Sequence, residues 1–329
     1  MRSIANLPVL FSTLLLRPIR AVCSQMIANF IESSKCFPFD DIITIERIIK
    51  HGFKKDKYCF VKDDICISYY HGAPLIDQNL QYSVTFEANG SESTASMNLN
   101  KSSLTRIYSG TVILLHGFRV SKEFMLNSAI YFRFLGYHVV VPDLLGHGES
   151  GGIKKYGVYD SKLINPFINN LIEADIIKKD NFYIVGNSMG ALTATYISNL
   201  RTDISGVILL APMPQFDQAL YNHSKVTHPI LSKIIPEQDI RKGASLVLEK
   251  NNINLEDTNI IPLIQSSKTP ILLISSDTDR IAPYSDYKSL SQDNIDLVKI
   301  HNRNHQSMTT IGDDEHISII RWLNKTEKE

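Results

Sequence analysis

The segment Gly186-Asn187-Ser188-Met189-Gly190 sets a serine between two glycines in the pattern G-x-S-x-G. A serine hydroxyl attacks a carbonyl carbon when a neighbouring base takes its proton and a carboxylate orients that base. Candidates for both partners lie downstream. Asp277 and Asp279 fall in the run Ser276-Asp277-Thr278-Asp279-Arg280-Ile281-Ala282-Pro283, and His301 and His305 bracket His301-Asn302-Arg303-Asn304-His305. Serine, then acid, then histidine is one of the chain orders in which this chemistry is assembled.

Such groups must be presented from the ends of buried elements. Short, almost wholly apolar runs occur at Thr111–Leu115, His138–Val141, Phe182–Val185, Val207–Leu210, Ile271–Ile274 and Leu297–Ile300. Runs of this kind fit strands covered on both faces, as in a parallel sheet. Helical periodicity lies between them, as in Leu163, Ile164, Phe167, Ile168, Leu171 and Ile172, with Pro166 implying a kink or a later start. The alternation predicts a doubly wound α/β sheet. Ser188 then follows the strand Phe182–Val185 and opens a helix over Ala191–Leu200. On so tight a turn the flanking glycines let neighbouring chain pass, and the helix N-terminus faces the hydroxyl. Both acid candidates and both histidines come just after a strand end, the edge where open α/β sheets build their sites.

Upstream, residues 38–108 predict short strands near Tyr58–Val61, Ile65–Tyr70 and Tyr82–Glu87, while Asn89-Gly90-Ser91-Glu92-Ser93-Thr94 reads as a polar loop. Residues 213–265 interrupt the rhythm with helix-leaning sequence such as Ala244–Lys250. They predict an insertion over one end of the sheet.

Four segments in order, His116-Gly117-Phe118, Pro142-Asp143-Leu144-Leu145-Gly146-His147-Gly148-Glu149-Ser150-Gly151, the turn at Ser188, and Asp279 to Pro283, resemble the α/β-hydrolase superfamily. The resemblance spans roughly residues 108–325, and its nearest branch is the monoacylglycerol lipase and lysophospholipase-like group. It implies an α/β-hydrolase fold: a mostly parallel doubly wound sheet, a helical cap at about 213–265 within a domain of residues 38–329, and a separate N-terminal amphipathic segment, 1–37. It implies Ser188 as nucleophile, Asp279 as acid, because an Asp four residues before Pro is the family pattern, and His305 as base. Asp277 and His301 are the alternatives. The oxyanion hole would be the main-chain N–H groups of Phe118 and Met189. His116, His147 and Asp143 would brace loops. Relatives often carry glycine where Arg303 and Ser276 stand, so the loop before His305 departs from the pattern.

The remaining sequence bounds the function. Apolar residues make up 43% and charged residues 21%, as in globular proteins, and 34 basic residues balance 34 acidic ones, which argues against a nucleic-acid partner. No metal and no organic cofactor is expected. The substrate expected is a small acyl ester, lipophilic because Phe118, Met189, Met213 and Phe216 would line the pocket. A thioester of a protein or carrier is the alternative, an aminopeptidase a more distant one, and a non-catalytic ligand-binding protein the reading from another class. Cys23, Cys36, Cys59 and Cys66 show no metal-binding spacing and are expected as free thiols of a reducing compartment, a Cys59–Cys66 bridge being the other possibility. Residues 1–31 contain Arg2, Arg17 and Arg20 and no acid. Ile19, Val22, Cys23, Met26, Ile27 and Phe30 share one face of a helix opening at Pro18, which would dock on the domain or lie on a membrane. The chain is expected in the cytoplasm, with association with a membrane and export on an N-terminal signal as the alternatives.

Overall fold

The computed structural model describes residues 7–39, 43–62, 64–88 and 91–327; for residues 7–19, Ala88 and Ser91 only the backbone is described. Asn89 and Gly90, at the head of the polar run, lie outside them. The strands are β1 (Lys54–Phe60), β2 (Ile65–Gly72), β3 (Asn79–Ala88), β4 (Ser91–Asn100), β5 (Thr111–Leu115), β6 (His138–Pro142), β7 (Phe182–Asn187), β8 (Gly206–Leu210), β9 (Ile271–Ser276) and β10 (Ile295–Ile300). The helices are α1 (Leu7–Ser33), α2 (Ile45–Lys50), α3 (Leu126–Leu135), α4 (Ser161–Glu173), α5 (Met189–Leu200), α6 (Phe216–Thr227), α7 (Leu231–Ile234), α8 (Glu237–Lys250), α9 (Ile260–Ser266) and α10 (Asp313–Thr326).

Eight strands form one sheet in the order β1-β2-β6-β5-β7-β8-β9-β10. β1 and β2 are antiparallel to their neighbours, and every pairing from β6 to β10 is parallel. The apolar runs are strands because they are buried on both faces. In β5, Ile113 and Leu115 join the core under α4 and α5, while Val112 and Leu114 join the core under α3 and α10. That is the period of two expected of a strand between two helical layers. The predicted doubly wound sheet is therefore the observed one. Among the described residues 213–265 the chain forms α6 to α9 and no strand.

Several local expectations are overturned. The polar run ending at Thr94 continues as strand β4, paired with β3 from Asn79↔Asn100 to Ala88↔Ser91. Ala95, Met97 and Leu99 alternate inward, while Ser83 and Thr85 meet Ser96 and Thr94 across the outer face at 3.0 Å. Polar cross-strand pairs satisfy an exposed sheet face, so polarity alone did not mark a loop. Helix α4 starts at Ser161 and runs through Pro166. Helix α1 starts at Leu7, well before Pro18. Cys59 and Cys66, expected free, are bridged: they are opposed residues of the β1–β2 hairpin with Cα atoms 3.9 Å apart. A directly opposed pair is where the two Cβ atoms come close enough for their sulfurs to bond. Cys23 and Cys36 are free.

Candidate active site

Ser188 sits between β7 and α5 with φ 52° and ψ −115°. A non-glycine residue held there stores roughly 1–3 kcal/mol of backbone strain. The surroundings enforce it. The Ser188 N–H donates to the Leu210 carbonyl at 3.0 Å, and its own carbonyl accepts from Ala191 at 3.0 Å and Met213 at 3.2 Å. A Cβ on Gly186 would lie 2.6 Å from the Ala191 amide, and one on Gly190 would lie 2.6 Å from the His116 carbonyl. Neither position admits a side chain, which is the physical content of the two glycines.

The serine is 7% exposed, and its hydroxyl lies 2.9 Å from Nε2 of His305. His305 Nδ1–H donates to Oδ2 of Asp279 at 2.7 Å. The other carboxylate oxygen of Asp279 accepts the main-chain N–H groups of Ile281 and Ala282 at 2.8 and 2.9 Å. Asp279 is thus an acceptor at every position in a buried turn, which fixes the imidazole with its proton on Nδ1 and a free pair facing Ser188. Asp277 is elsewhere. It pairs with Nδ1 of His301 at 2.5 Å on the surface, the two side chains 36% and 61% exposed. The two acids and two histidines therefore sort into two pairs, and one of them reaches the serine.

Met189 opens α5, so its N–H lacks an intrahelical acceptor. The β5–α3 loop crosses beside the serine: a Cβ on Gly117 would stand 3.3 Å from Ser188 Cβ, and Phe118 follows. Phe118, Tyr156 and Phe216 pack edge-on or tilted at 5.1–5.9 Å between ring centroids, and His147 meets Phe118 at 6.0 Å. Met189, Met213 and Phe216 are buried in the same cluster.

His116 and His147 are buried braces. His116 Nδ1–H donates to the Gly117 carbonyl at 2.8 Å, and Nε2 accepts from Leu144 N–H at 2.9 Å. His147 donates to the Leu145 carbonyl at 2.9 Å. Burial lowers them to about 4 and about 3, so both rings stay neutral. Asp143 accepts main-chain N–H groups from Lys122 and Glu149, and its Oδ2 meets the wholly buried Lys122 ammonium at 2.6 Å. The Lys122–Asp143 pair ties the loop carrying Phe118 to the loop after β6. Among the described residues no group of His, Cys, Asp or Glu is arranged to hold a metal ion.

Two features were given no role from the sequence. His223 on α6 is half-buried, and burial first, then the nearby His305 and Arg119, lower it to about 4. A lone histidine in a helical stretch has no spacing to mark it. The second is the brace behind His305. Arg303 is 4% exposed and pairs with Glu315 of α10 at 2.6 Å. It also donates to the carbonyls of Ser307 and Thr310 at 2.5 and 2.6 Å. The β3–β4 hairpin props the same loop: Ser93 Oγ donates to the Asn302 carbonyl at 2.9 Å, and Asn304 Nδ2 to the Phe86 carbonyl at 3.1 Å. The loop that carries His305 is thus anchored from outside by α10 and by the β3–β4 hairpin.

A family model described as serine aminopeptidase S33 matches residues 108–258, ending before Asp279 and His305. An esterase of Pyrococcus furiosus superposes with a TM-score of 0.58 over 90% of this chain and 97% of its own, at 17% identity. The chain has the α/β-hydrolase fold. It is 26% identical over 187 residues to an uncharacterized Bacillus subtilis protein, YqkD, covering 55% of this chain and 58% of that one. It is 31% identical over 100 residues to lipase 1 of Psychrobacter immobilis, covering 30% of each. The chain thus spans little more than half the length of the first of these relatives and under a third of the second.

Proposed function

We propose that this α/β hydrolase is a serine hydrolase that cleaves a carboxylic ester with a lipophilic acyl group through an acyl-enzyme on Ser188. One observation carries the reading: the unbroken line from Asp279 Oδ2 to His305 Nδ1, at 2.7 Å, and from His305 Nε2 to Ser188 Oγ, at 2.9 Å. In this mechanism His305 accepts the hydroxyl proton as Ser188 Oγ bonds to the acyl carbon. Asp279 keeps the imidazole in the required tautomer and balances the imidazolium. The N–H groups of Phe118 and Met189 receive the carbonyl oxygen as it becomes an oxyanion, each such donor commonly contributing ~3 kcal/mol. Collapse breaks the ester C–O bond, and His305 returns the proton to the departing alcohol. A water molecule, deprotonated by the same histidine, then releases the acid and restores Ser188.

Residues 38–329 act in this reading as one hydrolase domain, with α6 to α9 as the cap and residues 1–37 as a separate segment. The aromatic cluster of Phe118, Tyr156 and Phe216 favours an acyl chain over a polar substrate. Acyl-thioesters offer the same electrophilic carbonyl and are the competing substrate. The Cys59–Cys66 bridge favours an oxidising compartment, and so export over the cytoplasmic expectation. Peripheral membrane contact through residues 1–31 accords with a lipophilic substrate.

The test is a series of p-nitrophenyl esters of increasing chain length beside matched acyl-thioesters, assayed with the native protein and Ser188→Ala. The proposal expects kcat/KM to rise from acetate to longer chains and to fall by at least ~10³-fold in the variant. Faster turnover of every thioester would move the assignment to a thioesterase. Equal turnover by Ser188→Ala would overturn it.

A further inference from the structure

Helix α1 has two apolar faces, and only one is covered. Ser24, Ala28 and Ile31 are buried, and α1 packs along α8. The contact is close: a Cβ on Gly243 of α8 would lie 2.6 Å from Ile27 and 3.0 Å from the Ser24 carbonyl. Arg20 pairs with Asp239 at 3.5 Å, and Glu32 with Lys250 at 3.1 Å. The contacts advance in the same direction along both helices, from Arg20 with Asp239 to Glu32 with Lys250, so α1 and α8 run parallel. Val22, Met26 and Phe30, at i, i+4 and i+8, point the other way and are 60%, 66% and 57% exposed. The six-residue apolar face read from the sequence is therefore divided: Ile27 docks, while Val22, Met26 and Phe30 do not.

A second apolar feature lies at the same end of this helix pair. Just before α8, the α7 segment exposes Ile230, Leu231 and Ile234 at 75%, 52% and 71%. Since α1 and α8 are parallel, the helical residues 7–19 leave the pair at the end where α7 stands. At 1.5 Å per residue they extend roughly 20 Å past it. Their sequence includes the run Leu7-Pro8-Val9-Leu10-Phe11-Ser12-Thr13-Leu14-Leu15-Leu16. Across residues 1–31 the charged side chains are Arg2, Arg17 and Arg20, with no acid. No described helix is long and apolar enough to cross a bilayer.

We propose that the outer face of α1, with the α7 ridge beside it, is a docking surface for an anionic lipid bilayer, on which α1 lies rather than crosses. Apolar side chains enter the acyl boundary, and the excess of arginine over acid in the sequence of residues 1–31, Arg20 itself being paired with Asp239, complements anionic headgroups. The helix is tied to the proposed active site. In the residues that follow it, Phe37 N–H donates to the Arg119 carbonyl at 2.7 Å, Arg119 Nε donates to the Lys35 carbonyl at 3.2 Å, and the guanidinium stacks on Phe37 at 4.4 Å. Lys154 Nζ donates to the Ser34 carbonyl. The loop bearing Phe118 is thereby strapped to the helix that meets the lipid, so an acyl ester would be drawn from the surface where the helix rests. That last step rests on the hydrolase reading; the docking surface does not.

The test is flotation of the full-length chain with vesicles of phosphatidylcholine alone and of phosphatidylcholine mixed with phosphatidylglycerol. Native protein is expected to float with the anionic vesicles. The combined variant Val22→Glu, Met26→Glu, Phe30→Glu is expected to lose at least about tenfold in partitioning, and Ile230→Glu with Ile234→Glu to lose part of it. Both variants should hydrolyse a water-soluble short-chain ester at the native rate, because none of these residues touches Ser188, Asp279 or His305. Equal flotation of native and triple-variant protein would overturn the proposal, as would native protein that stays unbound. So would a native dimer that the triple substitution turns into a monomer, for the face would then belong to a second copy of the chain. Flotation is read whether or not the protein hydrolyses esters, so its failure is distinguishable from failure of the catalytic proposal.

Discussion

Arg303→Met separates the positioning of His305 from the stability of the fold. The guanidinium ties together residues on both sides of His305: it is two residues upstream, and it binds the carbonyls of Ser307 and Thr310 downstream. Removing it leaves Glu315, 1% exposed, without its 2.6 Å partner. Breaking one side of a buried ion pair costs about 3–5 kcal/mol. Unfolding entropy near 2.1 cal/mol/K per residue gives about 0.7 kcal/mol/K for 329 residues, so the melting temperature should fall by about 6 °C. A His305 misplaced by ~1 Å should cost on the order of 10²-fold in kcat. The assay is p-nitrophenyl ester turnover well below the melting point of each protein, beside thermal unfolding. The double variant Arg303→Met with Glu315→Leu removes both charges and should regain most of the lost stability, since an apolar pair often replaces a buried ion pair without loss. It should not regain kcat. If Arg303→Met keeps both its melting temperature and its kcat, or if the double variant restores both together, the positioning argument is wrong.

Two further outcomes follow from the same geometry. Asp279→Asn keeps the shape of the turn but lets the imidazole adopt the wrong tautomer, so kcat should fall by ~10⁴-fold while KM changes little, read by steady-state kinetics. The buried neutral histidines should make the fold acid-sensitive. His116 and His147 are lowered from 6.5 to about 4 and about 3, so the unfolded chain binds more protons than the folded one between those values. Their contribution is fully present above pH 6.5 and is lost as pH falls toward 4 and 3; the shift of His116 alone corresponds to roughly 3 kcal/mol. Thermal unfolding from pH 7 to 4 should show this decline, and His116→Asn should flatten it.

What could be read from the sequence was local. The glycines around Ser188 and the double-sided apolar runs act within a few residues, so the turn at Ser188 and the parallel sheet were visible in linear sequence. Choosing among Asp277, Asp279, His301 and His305 was not a local problem. All four follow strand ends, and only the resemblance to known hydrolases favoured one pairing. The structure supplies the missing information as direction: the turn N–H groups of Ile281 and Ala282 point Asp279 inward, while Asp277 and His301 pair at the surface. The polar strand β4, the bridge between Cys59 and Cys66, the Arg303–Glu315 brace and the outward row on α1 each depend on partners distant in sequence or across a hairpin. Composition cannot report such partners. Arg303 is the clearest case. As a departure from a family pattern it lowered the expectation for its loop, whereas its contacts to Glu315, Ser307 and Thr310 show what holds that loop.

The central claim is that Ser188 is a nucleophile activated by His305, and reaction with a fluorophosphonate probe tests it most directly. Each native chain should gain one covalent adduct, located on Ser188 by peptide mass spectrometry, Ser188→Ala should gain none, and His305→Ala should slow labelling by at least ~10²-fold. Folded native protein that resists the probe, or Ser188→Ala that is labelled as fast as native, would contradict it.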